Sequence, residues 1–305
     1  MRRNFKFLLL IGIVATVFTA CGDSDDDENG NANGGNIIEN GAIKTEFSVS
    51  ADKKVYFSMG NLQYQASTNT WRFAEHQYET IGLDNMKVSS TYDGWIDCFS
   101  WGASGWEGGV KCYQPYNVKS TNDEDYYVGD SYSNNLTGPY ANADWGVYNK
   151  ISNGGNEAGQ WRTLTKEEWT YLLEKRPNWT KSAWCAKVDG VCGILLLPDN
   201  WVTPSGITIH ESTNHDKGAY WDNKYTLDEW AIMQSHGAVF LPCSGERTGR
   251  PSTYHLSLDI GSYWTSSFCD MGGSYYLKIS QGSCTANYSS HRYDGFCVRL
   301  VQDVK

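Results

Sequence analysis

The segment QWRTLTKEEWTYLLEKR, residues 160–176, holds a helix start, a buried stripe and a helix stop in that order. Thr165 and Glu168 have the spacing of a capping box, in which each side chain satisfies a backbone N–H of the first turn. Trp169, Leu172 and Leu173 follow at i, i+3 and i+4 and make one apolar stripe. Lys175 and Arg176 fall where cations suit the helix dipole, and Pro177 stops the helix. The same grammar returns in TLDEWAIMQSHG, residues 226–237: Thr226 and Glu229 make the box, Trp230 and Met233 the stripe, Gly237 the stop. Beyond an apolar leader these are the two helices the sequence predicts. Strands and long loops fill the rest, which predicts an α+β fold with an antiparallel or mixed sheet. Both tryptophan-bearing helices are expected to press onto one curled sheet.

The composition agrees. Aromatics make up 14% of the 305 residues, with 13 Trp, 20 Tyr and 31 Gly, against only 20% charged residues. Such a mixture favours sheets and tight turns over a helical bundle. The net charge is −10 and no Lys/Arg run occurs, which excludes a nucleic-acid groove as partner surface.

Arg2, Arg3 and Lys6 precede the apolar run Phe7–Ala20, which is shorter than the ~20 residues of a spanning helix. The run ends FTAC, and this resembles the lipobox of bacterial lipoproteins. The resemblance implies cleavage before Cys21 and a thiol carrying lipid, palmitate included. Ser24 followed by Asp25–Glu28 is similar to the surface-export signal of Bacteroidota lipoproteins, and an Asn/Gly tract follows. An acidic, Asn/Gly-rich stretch cannot bury apolar area. The expected organisation is a signal peptide at 1–20, a tether at 21–41 and one domain at 42–305. The expected address is the outer membrane, lipid-anchored and facing outward.

Within the domain, Phe47–Val49 and Val55–Phe57 read as strands around an Asp52-Lys53 turn. Asn61–Tyr64 and Trp71–Phe73 read as a second hairpin. Residues 84–155 are loop-like, and Trp95, Trp101, Trp106 and Trp145 are expected to form that loop's own core. Gly193–Pro198 and Ala238–Pro242 are apolar runs short enough to be buried partner strands. A C-terminal meander is predicted at Tyr263–Phe268, Tyr275–Ser280, Ser283–Tyr288 and Phe296–Val301. Lys278, Ser280, Thr285 and Asn287 interleave with apolar residues and give it one wet face.

YFSMGNLQY (56–64), WRFAEHQY (71–78), DWGVYN (144–149), ISNGGNEAGQWRTLTKEEW (151–169), DGVCGILLLPDNW (189–201), GAVFLP (237–242), YWTSS (263–267) and GFCVRLV (295–301) together resemble a family of Bacteroidota surface lipoproteins. Its C-terminal part looks like the Fibrobacter succinogenes major paralogous domain. That domain is similar to the C-type-lectin-like fold of formylglycine-generating enzymes and of the variable receptors of diversity-generating retroelements. In those receptors ligands are met by side chains on the last strands and loops. Carried over by position, the resemblance implies a ligand face at Tyr254, His255, Tyr263, Trp264, Asn287, Tyr288, His291 and Tyr293. It implies non-covalent recognition of a glycan or protein at the cell surface, with no catalysis, cofactor or metal. The alternatives are a structural component of a surface fibre or coat, and an enzyme of the formylglycine-generating type. Cys269, Cys284 and Cys297 lie in the C-terminal region, but their surroundings do not match that enzyme family's catalytic segments.

Other chemistry finds no motif. His210-Glu211 followed by His215 is one residue too long for the zinc motif HExxH and sits among Pro204, Gly206 and β-formers, so it reads as a loop. Asp123-Glu124-Asp125 reads as a solvated charge run rather than a calcium site. With Cys21 lipidated, eight cysteines remain. Cys185–Cys192 across the Asp189-Gly190 turn and Cys98–Cys112 within the Trp-rich loop are the candidate disulfides. Free thiols are the open alternative.

Overall fold

Both predicted capping boxes close. Thr165 Oγ1 accepts from the Glu168 N–H at 3.1 Å, Glu168 Oε2 accepts from the Thr165 N–H at 2.9 Å, and a helix runs Lys166–Glu174. Thr226 and Glu229 repeat the exchange at 3.3 and 2.8 Å ahead of Leu227–Ser235. Gly237, at φ +93°, takes the left-handed conformation that ends this helix. Arg176 departs from its expected place on the dipole. It is buried, and its guanidinium donates to Asp199 Oδ1 (3.1 Å) and the Leu197 carbonyl (2.9 Å), fastening the helix end to the segment that follows the strand Val191–Leu196. Thr165→Ala removes one cap and is expected to cost about 1 kcal/mol in a urea titration, with an unchanged slope.

The computed structural model describes residues 37–212, 216–248, 254–255 and 258–305, with 254–255 given by backbone alone. The signal peptide, Cys21, the tether as far as residue 36 and the side chains of Tyr254 and His255 lie outside the described residues. Everything described belongs to one unit, Gly34–Lys305. Among the described residues no helix is long and apolar enough to cross a membrane.

Folding begins earlier than the expected boundary at Ala42. Ile38–Glu39 pairs with Ala42–Ile43 around Asn40 (φ +48°) and Gly41 (φ +78°). Asn-Gly at φ > 0 is the hairpin turn that matches strand twist. A side chain at Gly41 would meet the Asn153 carbonyl at 2.6 Å.

Three larger sheets follow, beside two two-stranded ones, the predicted second hairpin Leu62–Gln65 with Thr70–Phe73 and the pair Glu246–Arg247 with Tyr254–His255, and the fold is α+β, as expected. The first runs Phe47–Ser48, Lys54–Phe57, Leu300–Asp303, Arg162–Thr163, all antiparallel. The second runs Lys224–Tyr225, Ala183–Val188, Val191–Leu196, Val239–Pro242, with its first pair parallel. Its pairing of the edge strand Val239–Pro242 with Val191–Leu196, Val239 opposite Leu196, is the one the two apolar runs implied. The third is a meander of Gly261–Phe268, Ser274–Ser280 and Ser283–Ser290. The predicted fourth meander strand, Phe296–Val301, pairs with the meander only at Cys297, in a parallel bridge to Tyr263. Leu300–Asp303 crosses to the first sheet and pairs with Lys54–Phe57 and Arg162–Thr163, with Val301 joining the core of Phe47, Val55 and Phe57 and Leu300 the cluster of Trp71, Trp145 and Trp161.

Both capped helices pack on the second sheet, from opposite faces, but only the first also packs on the meander, which corrects the expectation that both press onto the sheet carrying the wet face. Trp169, Leu172 and Leu173 pack with Leu277, Ile279, Cys284 and Ala286 of the meander and with one face of the second sheet. Trp230 and Met233 pack on the opposite face of that second sheet, against Trp184, Leu195 and Phe240. The alternation of Trp184, Cys185 and Ala186 along one strand divides the two cores.

The Trp-rich segment is not a private core either. Trp101 and Trp145 share a cluster with Tyr64, Trp71, Trp264, Tyr276 and Phe296 from the strands. Apart from the bridges of Ile96 to Tyr64 and Phe99 to Phe296 its backbone has few ladder partners, and indole N–H groups add bonds. Trp264 donates to the Phe99 carbonyl (2.7 Å), and Trp145 to that of Ala103 (3.2 Å). Trp101 in turn donates to the Thr265 carbonyl (2.8 Å) of the meander. A buried carbonyl without such a donor would be costly.

Neither candidate disulfide is present. All eight described cysteines are free thiols. Cys185 stands opposite Ile194 and Cys192 opposite Lys187, so the two are diagonal rather than facing. Cys98 is buried with its thiol toward Asp97 and Cys297, whereas Cys112 is half-exposed with its N–H bonded to the Asp125 carbonyl.

Candidate binding face

The middle and edge strands of the meander build the site. Leu277, Ile279, Cys284 and Ala286 enter the core under the Lys166–Glu174 helix. Lys278, Ser280 and Thr285 point the other way and are half-buried, and Asn287 is exposed, so the predicted wet face exists. Strict alternation would send Tyr288 inward with Cys284 and Ala286. A register shift prevents this. Lys278 opposes Thr285 and Tyr276 opposes Tyr288, so one strand spends an extra residue between the two pairs. Such a bulge re-aims every side chain beyond it. Tyr288 is thereby placed beside Tyr276 on the wet face.

There it caps a stack of rings. Trp264 and Phe296 have centroids 4.4 Å apart, Phe296 and Tyr276 4.6 Å, and Tyr276 and Tyr288 6.1 Å. Exposure rises along the same path, from 1% at Trp264 through 7% at Tyr276 to 47% at Tyr288. Lys278 Nζ lies 4.8 Å from the Tyr288 ring centre, within cation–π range. Glu246 borders the face and accepts from Ser262 Oγ at 3.0 Å. Burial pushes the Tyr276 phenol up, and the nearby Glu246 carboxylate adds to it, so Tyr276 stays a neutral donor.

A second group lies at the end of the edge strand. His291 and Tyr293 stack at 4.7 Å with an 8° interplanar angle. His291 Nδ1 is 2.7 Å from Asp123 Oδ2, and Asp123 Oδ1 accepts from the Arg292 N–H at 2.6 Å. Asp123 therefore spends its carboxylate on this loop, and Asp125 takes the Ser120 hydroxyl. Arg292, between the two displayed rings, turns inward. Its guanidinium lies 4.3 Å from the Trp101 ring centre and donates to the Gly273, Tyr126 and Tyr132 carbonyls. Burial lowers its pKa to about 10, still far above neutral pH. Arg292 is thus the peg that holds His291 and Tyr293 outward. Asp123, Met271, Gly273, Ser289, Ser290 and His291 line a cleft of about 310 Å³ beside them.

Of the residues expected on a ligand face, the structure brings out Asn287, Tyr288, His291 and Tyr293. Tyr263 and Trp264 are corrections. The strand Gly261–Phe268 is covered on both sides, by the first core at Tyr263 and by Phe296 at Trp264. Tyr263 hydroxyl donates to the Pro242 carbonyl at 2.7 Å and Trp264 is committed to Phe99, so neither meets solvent. Tyr276, Glu246 and Arg292 were missed. Arg292 lies in the turn His291–Asp294, closed by the Asp294 N–H to the His291 carbonyl at 3.0 Å, and neither it nor Tyr276 nor Glu246 carries a local signal. His210 and Glu211 lie in irregular backbone, as expected, while His215 is outside the described residues.

Scans against models of protein families, against curated proteins and against solved structures found no match for this chain.

Proposed function

We propose that the chain is a lipid-anchored lipoprotein on the outer face of an outer membrane, with a C-type-lectin-like domain that binds a glycan or protein ligand non-covalently. The observation that carries the reading is Tyr288: a large exposed ring seated on a buried stack, flanked by Lys278, Asn287 and Glu246. A ring held this way offers contact area at little entropic cost, and the amide, ammonium and carboxylate give directional hydrogen bonds. The two capped helices and the meander support the lectin-like reading of the fold. The lipobox-like FTAC and the acidic stretch after Cys21 support the anchor and its outward address.

The full chain is tested on glycan and surface-protein arrays. A ligand is expected whose affinity falls at least about tenfold in Tyr288→Ala, as for a central aromatic contact, while far-UV circular dichroism and melting stay unchanged. Binding indifferent to Tyr288, Lys278 and Asn287 would remove this face from the reading. Protease added to intact cells is expected to cleave the chain; protection would place it on the inner side.

A further inference from the structure

We propose that Cys98 and Cys297 form a cross-strand disulfide, a covalent modification site that ties the Trp-rich segment to the closing strand beneath the ring stack. The inference stands apart from the binding reading. Phe99 and Phe296 exchange both backbone hydrogen bonds, Phe99 N–H to Phe296 O at 2.9 Å and Phe296 N–H to Phe99 O at 3.1 Å. The next antiparallel pair outward is Cys98 opposite Cys297, and it must be a non-hydrogen-bonded pair. Its backbone bonds agree, since all point away from the partner. The Cys98 N–H goes to Asn85 Oδ1 (3.0 Å), the Cys297 N–H to Ser262 O (3.0 Å), and the Cys297 carbonyl accepts from Trp264 (3.0 Å). Non-hydrogen-bonded pairs have Cα atoms about 4.5 Å apart, inside the window of roughly 4.4–6.8 Å that a disulfide spans. The two sulfurs and an Asp97 carboxylate oxygen lie within 4.8 Å of one another. A turn of the side chains therefore suffices to close the bond.

Two thiols and a carboxylate also make three donors for a soft dication. The neighbouring charge opposes that use. Arg247 is fully buried beside Cys98, and its Nε, Nη1 and Nη2 have no hydrogen-bond partner. A fixed guanidinium repels a metal ion. The Cys297 thiol and burial hold the Cys98 thiol well above its usual pKa, and Arg247 offsets this only in part, so the thiolate that attacks in disulfide exchange comes from the unfolded or locally opened chain.

The co-reactant is a small-molecule disulfide such as oxidised glutathione. One thiolate of the pair attacks a glutathione sulfur, and the S–S bond breaks to release one glutathione thiolate. The second protein thiolate then attacks the mixed disulfide and displaces the other. Two protein thiols are oxidised, one disulfide is reduced, and the two protons end on the released glutathione thiolates. Both thiols are sealed from solvent in the folded chain, so the bond closes during folding or local opening.

The reduced, unfolded full chain is refolded in a glutathione redox buffer, alkylated, digested and mapped by mass spectrometry. The expected product is one peptide pair joined through Cys98 and Cys297, with Cys112, Cys185 and Cys192 alkylated. Alkylation of both Cys98 and Cys297, a Cys98–Cys112 link, or a stoichiometric metal ion that keeps the pair reduced would each overturn the proposal. Reduction is also expected to lower the denaturation midpoint of the wild-type chain and to leave that of Cys297→Ser unmoved. Should that variant not fold, the peptide map decides alone. A negative map leaves the Tyr288 face untouched, and absent ligand binding leaves the map untouched.

Discussion

Trp264→Ala is expected to lower the free energy of unfolding by about 4 kcal/mol, read as a shift of the guanidinium midpoint at constant slope. The ring is 1% exposed and its face lies 4.4 Å from Phe296. Truncation therefore opens a cavity at the junction of the meander, the Trp-rich segment and the closing strand, where little backbone is free to collapse into it. The indole also donates to the Phe99 carbonyl. That carbonyl keeps its bond from the Phe296 N–H at 3.1 Å, so the lost donor adds less than a full orphaned acceptor would. Tyr288→Ala, on the same stack but exposed, is expected to change stability by only about 0.5 kcal/mol or less. The contrast is the informative part. If the two substitutions cost the same, Trp264 is not the base on which Tyr288 rests, and the outward gradient of the stack has no structural meaning.

Asp144 gives the second large effect, and its sign is unusual. The residue is buried at the start of the short helix Trp145–Tyr148, where Oδ1 accepts from the Gly146 N–H (3.0 Å) and Oδ2 from the Thr163 N–H (2.7 Å). Burial raises its pKa from 3.8 to about 6, against the opposing pull of those two bonds. Between the two values the folded chain holds a proton that the unfolded chain has lost. The stabilisation is therefore complete below about pH 4 and disappears as pH rises through 6, the reverse of a salt-bridged carboxylate. A shift of that size corresponds to about 3 kcal/mol. Urea titrations of wild type and Asp144→Asn across pH 4–7 isolate it, because every other group cancels in the difference. The advantage of wild type over the variant is expected to shrink by about that amount between pH 4 and 7. A flat difference would mean that the bonds from Gly146 and Thr163 balance desolvation, and a difference that grows with pH would mean that they outweigh it.

Much of the secondary structure could be read from the chain because its signals are local. Thr165/Glu168 and Thr226/Glu229 specify helix starts within four residues, and Trp169 and Trp230 mark their buried sides. The apolar runs at Gly193–Pro198 and Ala238–Pro242 specify strands too short and too apolar to lie anywhere but inside. Asn40-Gly41 was equally local, a hairpin signal that the low-complexity stretch before it hid. Arg176 was misplaced for a different reason. A cation in a last turn satisfies the dipole at the surface, yet here Asp199 and the Leu197 carbonyl offer the guanidinium better partners inside.

The candidate site was half legible. Asn287, Tyr288, His291 and Tyr293 were expected by position in the resemblance alone; the polar alternation of Lys278, Ser280, Thr285 and Asn287 marked the wet face, and Tyr288 reaches it only through the bulge. Tyr263 and Trp264 sit in YWTSS, which has the same small, polar and aromatic character, yet both are core. What separates the two strands is coverage by distant segments: Phe296 and Phe99 close over Trp264, while no described segment closes over Tyr288.

By itself the sequence determined the element types, the two capped helices, the partner strands and the existence of a wet face, since capping, periodicity and turn chemistry act between near neighbours along the chain. Only the tertiary structure decided which rings are displayed, which thiol faces which, and where the last strand goes. Those outcomes depend on register and on what packs over each face, and a one-residue bulge or a strand arriving from far along the chain reverses them without changing any local pattern.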